Sequence, residues 1–484
     1  MGKKKTQDSE IPMWAKTGHA RPVTRRDFLG AGLIPFSASM ILPNWMSLLM
    51  PSSAQAAVCT DSAGSLIPFV TLNLAGGAGL AGNFVPHDQG GQMLPSYNLV
   101  GLGRTPTLVR EFGNVPFAGN PAGNVAGNEI SRFLAGVRQT APNAIAKTAF
   151  VGVCVESRDD SSENKFSADG LVAKAGLMGS LLPNLGRRPG TTTGIGQLAS
   201  VVNPPSPLIV NGLNSLTSSL GYAGSIGTVL KQSQKEALAN VISRLSESQN
   251  RKLASMQSGS DIKNLLDCAG IKNEGLLAQG TNAVDPRLDA AAGTQISTIW
   301  NINSGTGNGD QNLIFSSMVY NAIKGQCGSV SLELGGFDYH DNSATTGDGK
   351  DLEAGQNVGR ILETANALNR PVFLYITTDG ATVSVQSDNS STRSAWASDR
   401  GTAGMAYILY FNPAGRPNTN GFQIGHFTNG QVAAGTTAVA SSPEAAAAAV
   451  FANYLRVNNR LDLYDAIAGR ALESRFLDQV LKFV

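Results

Sequence analysis

The chain has 484 residues, 42% hydrophobic and only 15% charged, with 55 glycines. Its 37 basic and 35 acidic residues nearly cancel, leaving a formal charge of +2. Without a basic excess or a clustered basic patch, the chain lacks the electrostatic footprint of a nucleic-acid binder.

The first readable element is an address. Arg25 and Arg26, followed by Phe28-Leu29, form a twin-arginine export motif. A basic stretch with Lys3, Lys4, Lys5, Lys16 and Arg21 precedes it, and the apolar run Leu29 to Met50 follows, broken by Pro35, Pro43 and Asn44. Those breaks argue against a membrane span, which needs about 20 nearly uninterrupted apolar residues. Ala54-Gln55-Ala56 offers a small-x-small cleavage site, so residues 1–56 are expected to be a signal peptide. The expected partner during export is the twin-arginine translocase, and the destination is the periplasm or the cell surface. Removing residues 1–56 takes away seven of the basic and three of the acidic residues, leaving 30 basic against 32 acidic. No later stretch reaches membrane-spanning length.

The remainder, 57–484, reads as one α/β domain. Short β-rich apolar runs at Pro68–Leu74, Ala149–Val155, Pro207–Val210, Ser329–Leu334, Val372–Thr377 and Met405–Phe411 alternate with longer segments of helical periodicity. Those helical segments are Glu129–Arg138, Ile226–Met256, Asp310–Lys324, Leu352–Leu368 and Pro443–Val457. That alternation is the pattern of parallel strands joined by crossover helices, with helices on both faces of a mostly parallel central sheet. Ser442-Pro443-Glu444 reads as a cap followed by a first helical turn. Long loop insertions are expected near 101–127 and 186–290, and the polar run Gln232–Asn250 reads as a solvated helix.

Cys59, Cys154, Cys268 and Cys327 are widely spaced and show no zinc-type pairing. In an oxidising compartment they are disulfide candidates, and the alternative is buried free thiols.

In an open parallel sheet, ligands collect beyond the carboxyl ends of the strands. The strand ending at Leu334 runs into Gly335-Gly336-Phe337-Asp338-Tyr339-His340, which offers an oxygen and an imidazole ligand two residues apart. The strand 372–377 leads to Asp379, and Asp399 precedes the run 405–411. Mixed oxygen and nitrogen ligands from separate loops suit one divalent metal ion, and Asp338, His340, Asp379 and Asp399 are its candidate ligands. Each aspartate has the plainer alternative of capping a helix or closing a turn. Arg158 and Asp159 follow the strand 149–155 and, with Arg400 and His87, are candidates for anion or substrate contact. The segment Gly305–Asp310 could cradle an anion on backbone N–H groups, but it lacks a Walker Lys-Ser/Thr, so no nucleotide cofactor is expected. His426 ends an apolar run and reads as structural. No Gly-x-Ser-x-Gly elbow occurs, and no nucleophile is identified.

These segments carry a resemblance. Leu74-Ala75-Gly76-Gly77-Ala78-Gly79-Leu80, Gly336-Phe337-Asp338-Tyr339-His340, Thr378-Asp379-Gly380-Ala381-Thr382 and Asp399-Arg400-Gly401 are similar to the motifs of the twin-arginine-exported family known as domain of unknown function 1501. That family is related to the alkaline phosphatase and sulfatase superfamily. The resemblance implies an alkaline-phosphatase-like three-layer sandwich and metal-assisted hydrolysis of phosphate or sulfate esters. The chain departs from the pattern at three places. Gly79 stands where the first loop would carry an acid, Arg400 where a second histidine would sit, and Asp379 where a longer Glu would sit. The resemblance with these departures implies either a non-catalytic scaffold for binding or assembly in the cell envelope, or a hydrolase reduced to one metal ion.

Overall fold

A computed structural model describes residues 66–97, 107–119, 131–156, 168–177, 179, 182, 184–187, 207–219, 233–234, 237, 284–337, 344–378, 380–384, 396–400, 404–429, 432–439 and 442–484, with 381–384 and 396–400 described for their backbone. The strands are β1 (Phe69–Leu74), β2 (Thr107–Glu111), β3 (Val115–Gly119), β4 (Thr148–Val155), β5 (Leu185–Gly186) and β6 (Leu208–Ile209). They continue with β7 (Ser329–Leu334), β8 (Val372–Thr378), β9 (Ala381–Ser384), β10 (Trp396–Arg400), β11 (Gly404–Phe411) and β12 (Gln423–Ile424). The helices are α1 (Leu80–Asn83), α2 (Arg132–Thr140), α3 (Ala168–Lys174), α4 (Leu213–Ser219), α5 (Gly293–Trp300), α6 (Gln311–Ile323), α7 (Ala344–Ala367), α8 (Pro443–Val457), α9 (Tyr464–Ala468) and α10 (Leu477–Val480).

Eight strands form one sheet in the order β12-β4-β11-β8-β1-β7-β5-β6. All six strands expected from the apolar runs lie in it. The chain is therefore α/β, with a large, mostly parallel central sheet. The sequence reading made the run 405–411 one of the parallel strands, but β11 runs antiparallel to both β4 and β8. The physical reason is its connection. Between β8 and β11 lies the β9–β10 hairpin rather than a crossover helix, so the chain re-enters the sheet from the end at which it left.

Strand residues alternate between two apolar clusters. Val70, Leu72 and Leu74 of β1 join Val330, Leu332, Leu374, Ile376 and residues of α2, α6 and α7 in one cluster. Phe69, Phe373 and Tyr375 join α3, α8 and α9 in the other. With both faces covered, β1 and β4 are buried along their whole length, which is why those segments read as continuous apolar runs rather than alternating ones.

Helix starts follow side-chain chemistry. Ser131 accepts from the Leu134 N–H, so α2 begins at Arg132, later than the expected 129. Asp310 accepts from the Leu313 N–H, and Ser442 from the Ala445 N–H with Pro443 in the first turn. Helix α7 begins well before the expected Leu352. The helical reading 226–256 and the polar run 232–250 lie almost wholly outside the described residues. In the expected loop 101–127, β2 and β3 form a hairpin that closes through Phe112 and Gly113, both with positive φ. Cys154 and Cys327 are buried free thiols, pushed up by burial, while Cys59 and Cys268 lie outside the described residues. No helix among the described residues is long and apolar enough to cross a membrane.

Helices α2 and α7 meet at glycines. A Cβ added at Gly355 would lie 2.0 Å from the Phe133 carbonyl oxygen, and one at Gly136 would lie 2.3 Å from that of Leu352. Neither obstacle is the movable end of a side chain, so the helices themselves must separate. Gly355→Ala should therefore destabilise the protein by about 1–3 kcal/mol, the usual cost of overpacking. Urea denaturation checks this, and an unchanged midpoint would rule out the close approach.

Candidate functional site

Every strand of the large sheet except β11 points the same way, so the loops after β1, β4, β7 and β8 leave from one end. The three central strands also stop level. Leu74 pairs with Leu334 on one side and Thr378 on the other. The segments that begin after these residues carry Gly76-Gly77, then Asp338 and His340, then Asp379. The β9–β10 hairpin, with Asp399 and Arg400 on β10, is inserted at the same end between β8 and β11. The segment with Arg158 and Asp159 follows β4, whose Val155 pairs with Gly404 at that end.

Placement of the individual candidates is less complete. Asp338, His340, Asp379, Arg158 and Asp159 lie outside the described residues. For Asp399 and Arg400 the backbone alone is described, with Arg400 opposite Ala381 across the hairpin. His87 is held elsewhere. Its N–H donates to Gln423 Oε1, its carbonyl accepts from Gln423 Nε2, and its ring stacks edge-on against Phe422. Gln423 belongs to edge strand β12, with β4 and β11 between it and β8. Burial, and then the Arg110 charge, lowers the His87 pKa, which favours a neutral imidazole. The His426 carbonyl accepts from the Ala434 N–H within a loop.

The Gly305–Asp310 segment is occupied by its own contacts. Asn303 Oδ1 accepts from the Gly305 N–H, the Asn303 carbonyl from the Thr306 N–H, and the Asp310 carboxylate caps α6. A capping carboxylate at that helix start opposes an incoming anion.

The described part of the rim is a tightly tied platform. Gly76 and Gly77 have φ of 115° and 99°, which glycine adopts without penalty. Ala75 N–H donates to the Leu334 carbonyl, and Phe337 N–H donates to the Ala75 carbonyl. Thr378 Oγ1 accepts from the Ala78 N–H at 2.8 Å and donates to the Leu74 carbonyl at 2.8 Å. The loops after β1 and β7 and the end of β8 are thereby joined directly.

Behind that loop, α1 is gripped from three sides. Tyr407 on β11 donates to the Leu80 carbonyl, and Tyr97 donates to the Gly82 carbonyl at 2.9 Å. Asn83 Nδ2 donates to the Gly79 carbonyl and to Asp351 Oδ2 on α7, while its Oδ1 accepts from the Phe133 N–H. Burial raises both Tyr97 and Tyr407, so each remains a hydroxyl donor at neutral pH. At the exit of β7, Lys350 Nζ donates to the Gly335 carbonyl at 3.0 Å and to Glu353 Oε2 at 2.9 Å, above the Phe337 ring. It places an ammonium, ion-paired with Glu353, three residues before Asp338.

Sequence reasoning did not single out Thr378, Asn83, Tyr407 or Lys350 as site residues. Thr378, Asn83 and Tyr407 act on partners distant in the chain, and a linear motif carries no signal of such pairing. Among the described residues, no group of three His, Cys, Asp or Glu side chains lies together.

The fold defines an α/β protein with a polar loop rim at the carboxyl ends of a large, mostly parallel sheet. No family model matches the chain, and no curated protein matches it either.

Thr378→Val should strand the Ala78 N–H and cost about 1–3 kcal/mol, the penalty of a buried unsatisfied donor. Thr378→Ser should retain most of the stability. Amide exchange at Ala78 checks the assignment: protection that persists in the valine variant would refute it.

Proposed function

We propose that the chain is an exported member of the domain of unknown function 1501 family, with an alkaline-phosphatase-like three-layer fold. In this reading it acts as a non-catalytic scaffold for binding or assembly in the cell envelope. The observation that carries it is the loop after β1. From Ala75 to Gly79 it presents only Ala and Gly, at the middle strand of the sheet. The chain has neither an acid nor a hydroxyl there, and Thr378 ties the loop by its backbone.

A metal-dependent phosphate or sulfate ester hydrolase is the second reading. The level ends of β7, β1 and β8 favour it, because the segments bearing Asp338, His340 and Asp379 start side by side. In that case Asp338, His340, Asp379 and Asp399 would hold one divalent ion, and Arg400 would contact the anion. The ion would supply Lewis-acid polarisation of the ester oxygen. The described residues supply no side-chain ligand from the β1 loop to complete such a site.

Metal content and ester turnover of the exported protein separate the two. The scaffold reading expects no retained divalent ion after purification, a melting temperature unchanged by chelator, and no hydrolysis of aryl phosphate or sulfate above background. About one ion per chain, lost together with turnover in the Asp338→Ala/His340→Ala variant, would replace it with the hydrolase.

A further inference from the structure

The layer on the α3 side of the sheet is largely apolar, and one polar cluster lies in it against β1 and β7. Asp169, in the first turn of α3, is fully buried. Thr71 Oγ1 on β1 donates to Asp169 Oδ1, and the Ser331 hydroxyl on β7 also bonds the carboxyl. Ser331 and Thr71 are paired across the two strands, and Ser331 Oγ accepts from Asn73 Nδ2 at 2.9 Å. Two acceptors in this cluster, Asp169 Oδ2 and Asn73 Oδ1, have no donor among the described residues.

The described residues around α3 provide no countercharge. Helix α3 packs against β1, β7, α8 and α9. From β1 come Thr71 and Asn73, and from β7 come Ser329, Ser331 and, at its rim end, Glu333. Tyr454 comes from α8, with Glu444 and Arg456 at that helix's ends, and α9 contributes Tyr464 and Asp465. On the neighbouring β8, Tyr375 is pushed up to about 12, first by burial and further by the Asp169 charge. Lys174 ends α3 itself. Among the described residues no cation pairs with Asp169.

A lone buried carboxylate is costly, and a proton removes that cost. The proton also turns one carboxyl oxygen from an acceptor without a donor into a hydroxyl donor. We propose that Asp169 is held as the neutral acid, and that its ionisation is a switch which loosens α3 from β1 and β7 directly beneath the strand ends of the rim. The link is short: Asn73 is the residue before Leu74, and Ser331 lies three before Leu334. This holds whether or not the rim binds a metal.

Burial pushes Asp169 up to about 7, against the pull of its bonds to Thr71 and Ser331. The folded value lies above the ordinary 3.8, so between the two the folded chain binds more protons than the unfolded one. Stability from this group is therefore full below about pH 4, falls as pH rises to about 7, and is flat above. Across that window the unfolding constant should rise about tenfold per pH unit relative to a chain without the carboxyl.

Denaturant unfolding of the full chain from pH 4 to 9 tests this in the wild type, Asp169→Asn and Ser331→Ala. The difference between wild type and Asp169→Asn should follow the profile above. In Ser331→Ala, which removes a bond favouring the ionised form, the upper end should move to higher pH. Amide exchange over 69–74 and 329–334, corrected for intrinsic rates, should quicken above pH 7 in the wild type and not in Asp169→Asn. If Asp169→Asn does not fold, the infrared band of a protonated carboxyl in the wild type should be present at pH 6 and bleach above pH 7. Parallel pH profiles, the lack of that band, or a sodium- or calcium-dependent gain of stability at pH 8 would overturn the proposal.

Discussion

The structure depends on β1 having no free edge. Each of its six residues is paired with β7 on one side and β8 on the other, and both faces are covered by apolar clusters. A buried strand must satisfy every backbone donor and acceptor within the protein. Two parallel neighbours held to the same register achieve that and fix where all three strands stop. The common rim is thus a by-product of hydrogen-bond accounting in the sheet centre. Any chemistry this fold performs at that rim inherits its geometry from β1.

The rim combines a rigid floor with variable equipment. Thr378, Asn83, Tyr97 and Tyr407 bond to backbone groups of the β1 loop and α1, so their polar groups are used for support. A floor made of backbone and small residues leaves recognition to the segments that rise from β7, β8 and β4 and to the β9–β10 hairpin. That division suits a scaffold whose partner is chosen by loops.

Much of the fold was legible because the buried strands are continuous apolar runs. Ser329–Leu334 matches β7 residue for residue, and Pro443–Val457 with its Ser442 cap matches α8. Direction was not legible. The run at 405–411 has the composition of its parallel neighbours, and its reversal follows from the connection before it. The β2–β3 hairpin was hidden because Pro, Gly and Asn in 101–127 outweighed two strands of five residues. Of the candidate site, the sequence revealed which strand ends carry polar residues, and the sheet shows that the central ones stop side by side. Thr378 and Asn83 were invisible because their partners are Leu74 and Ala78 for the first, and Asp351 and Phe133 for the second. Neither Asp169 nor its helix was singled out from the sequence, since nothing local marks a carboxyl that the tertiary fold will bury.

The pairing of β1 has a consequence for biosynthesis. Its partners are β7 and β8, so when β1 has been made the ribosome still has about 300 residues to add before Thr378 exists. At roughly 5–20 residues per second, that interval is on the order of tens of seconds. Until β7 is made, Phe69–Leu74 has both hydrogen-bonding edges open, and until β8 is made it still has one, the kind of strand that pairs with a second copy when unprotected. A polypeptide that stops short of Val372 leaves one edge of β1 unpaired and should be found in aggregates rather than as a smaller folded domain.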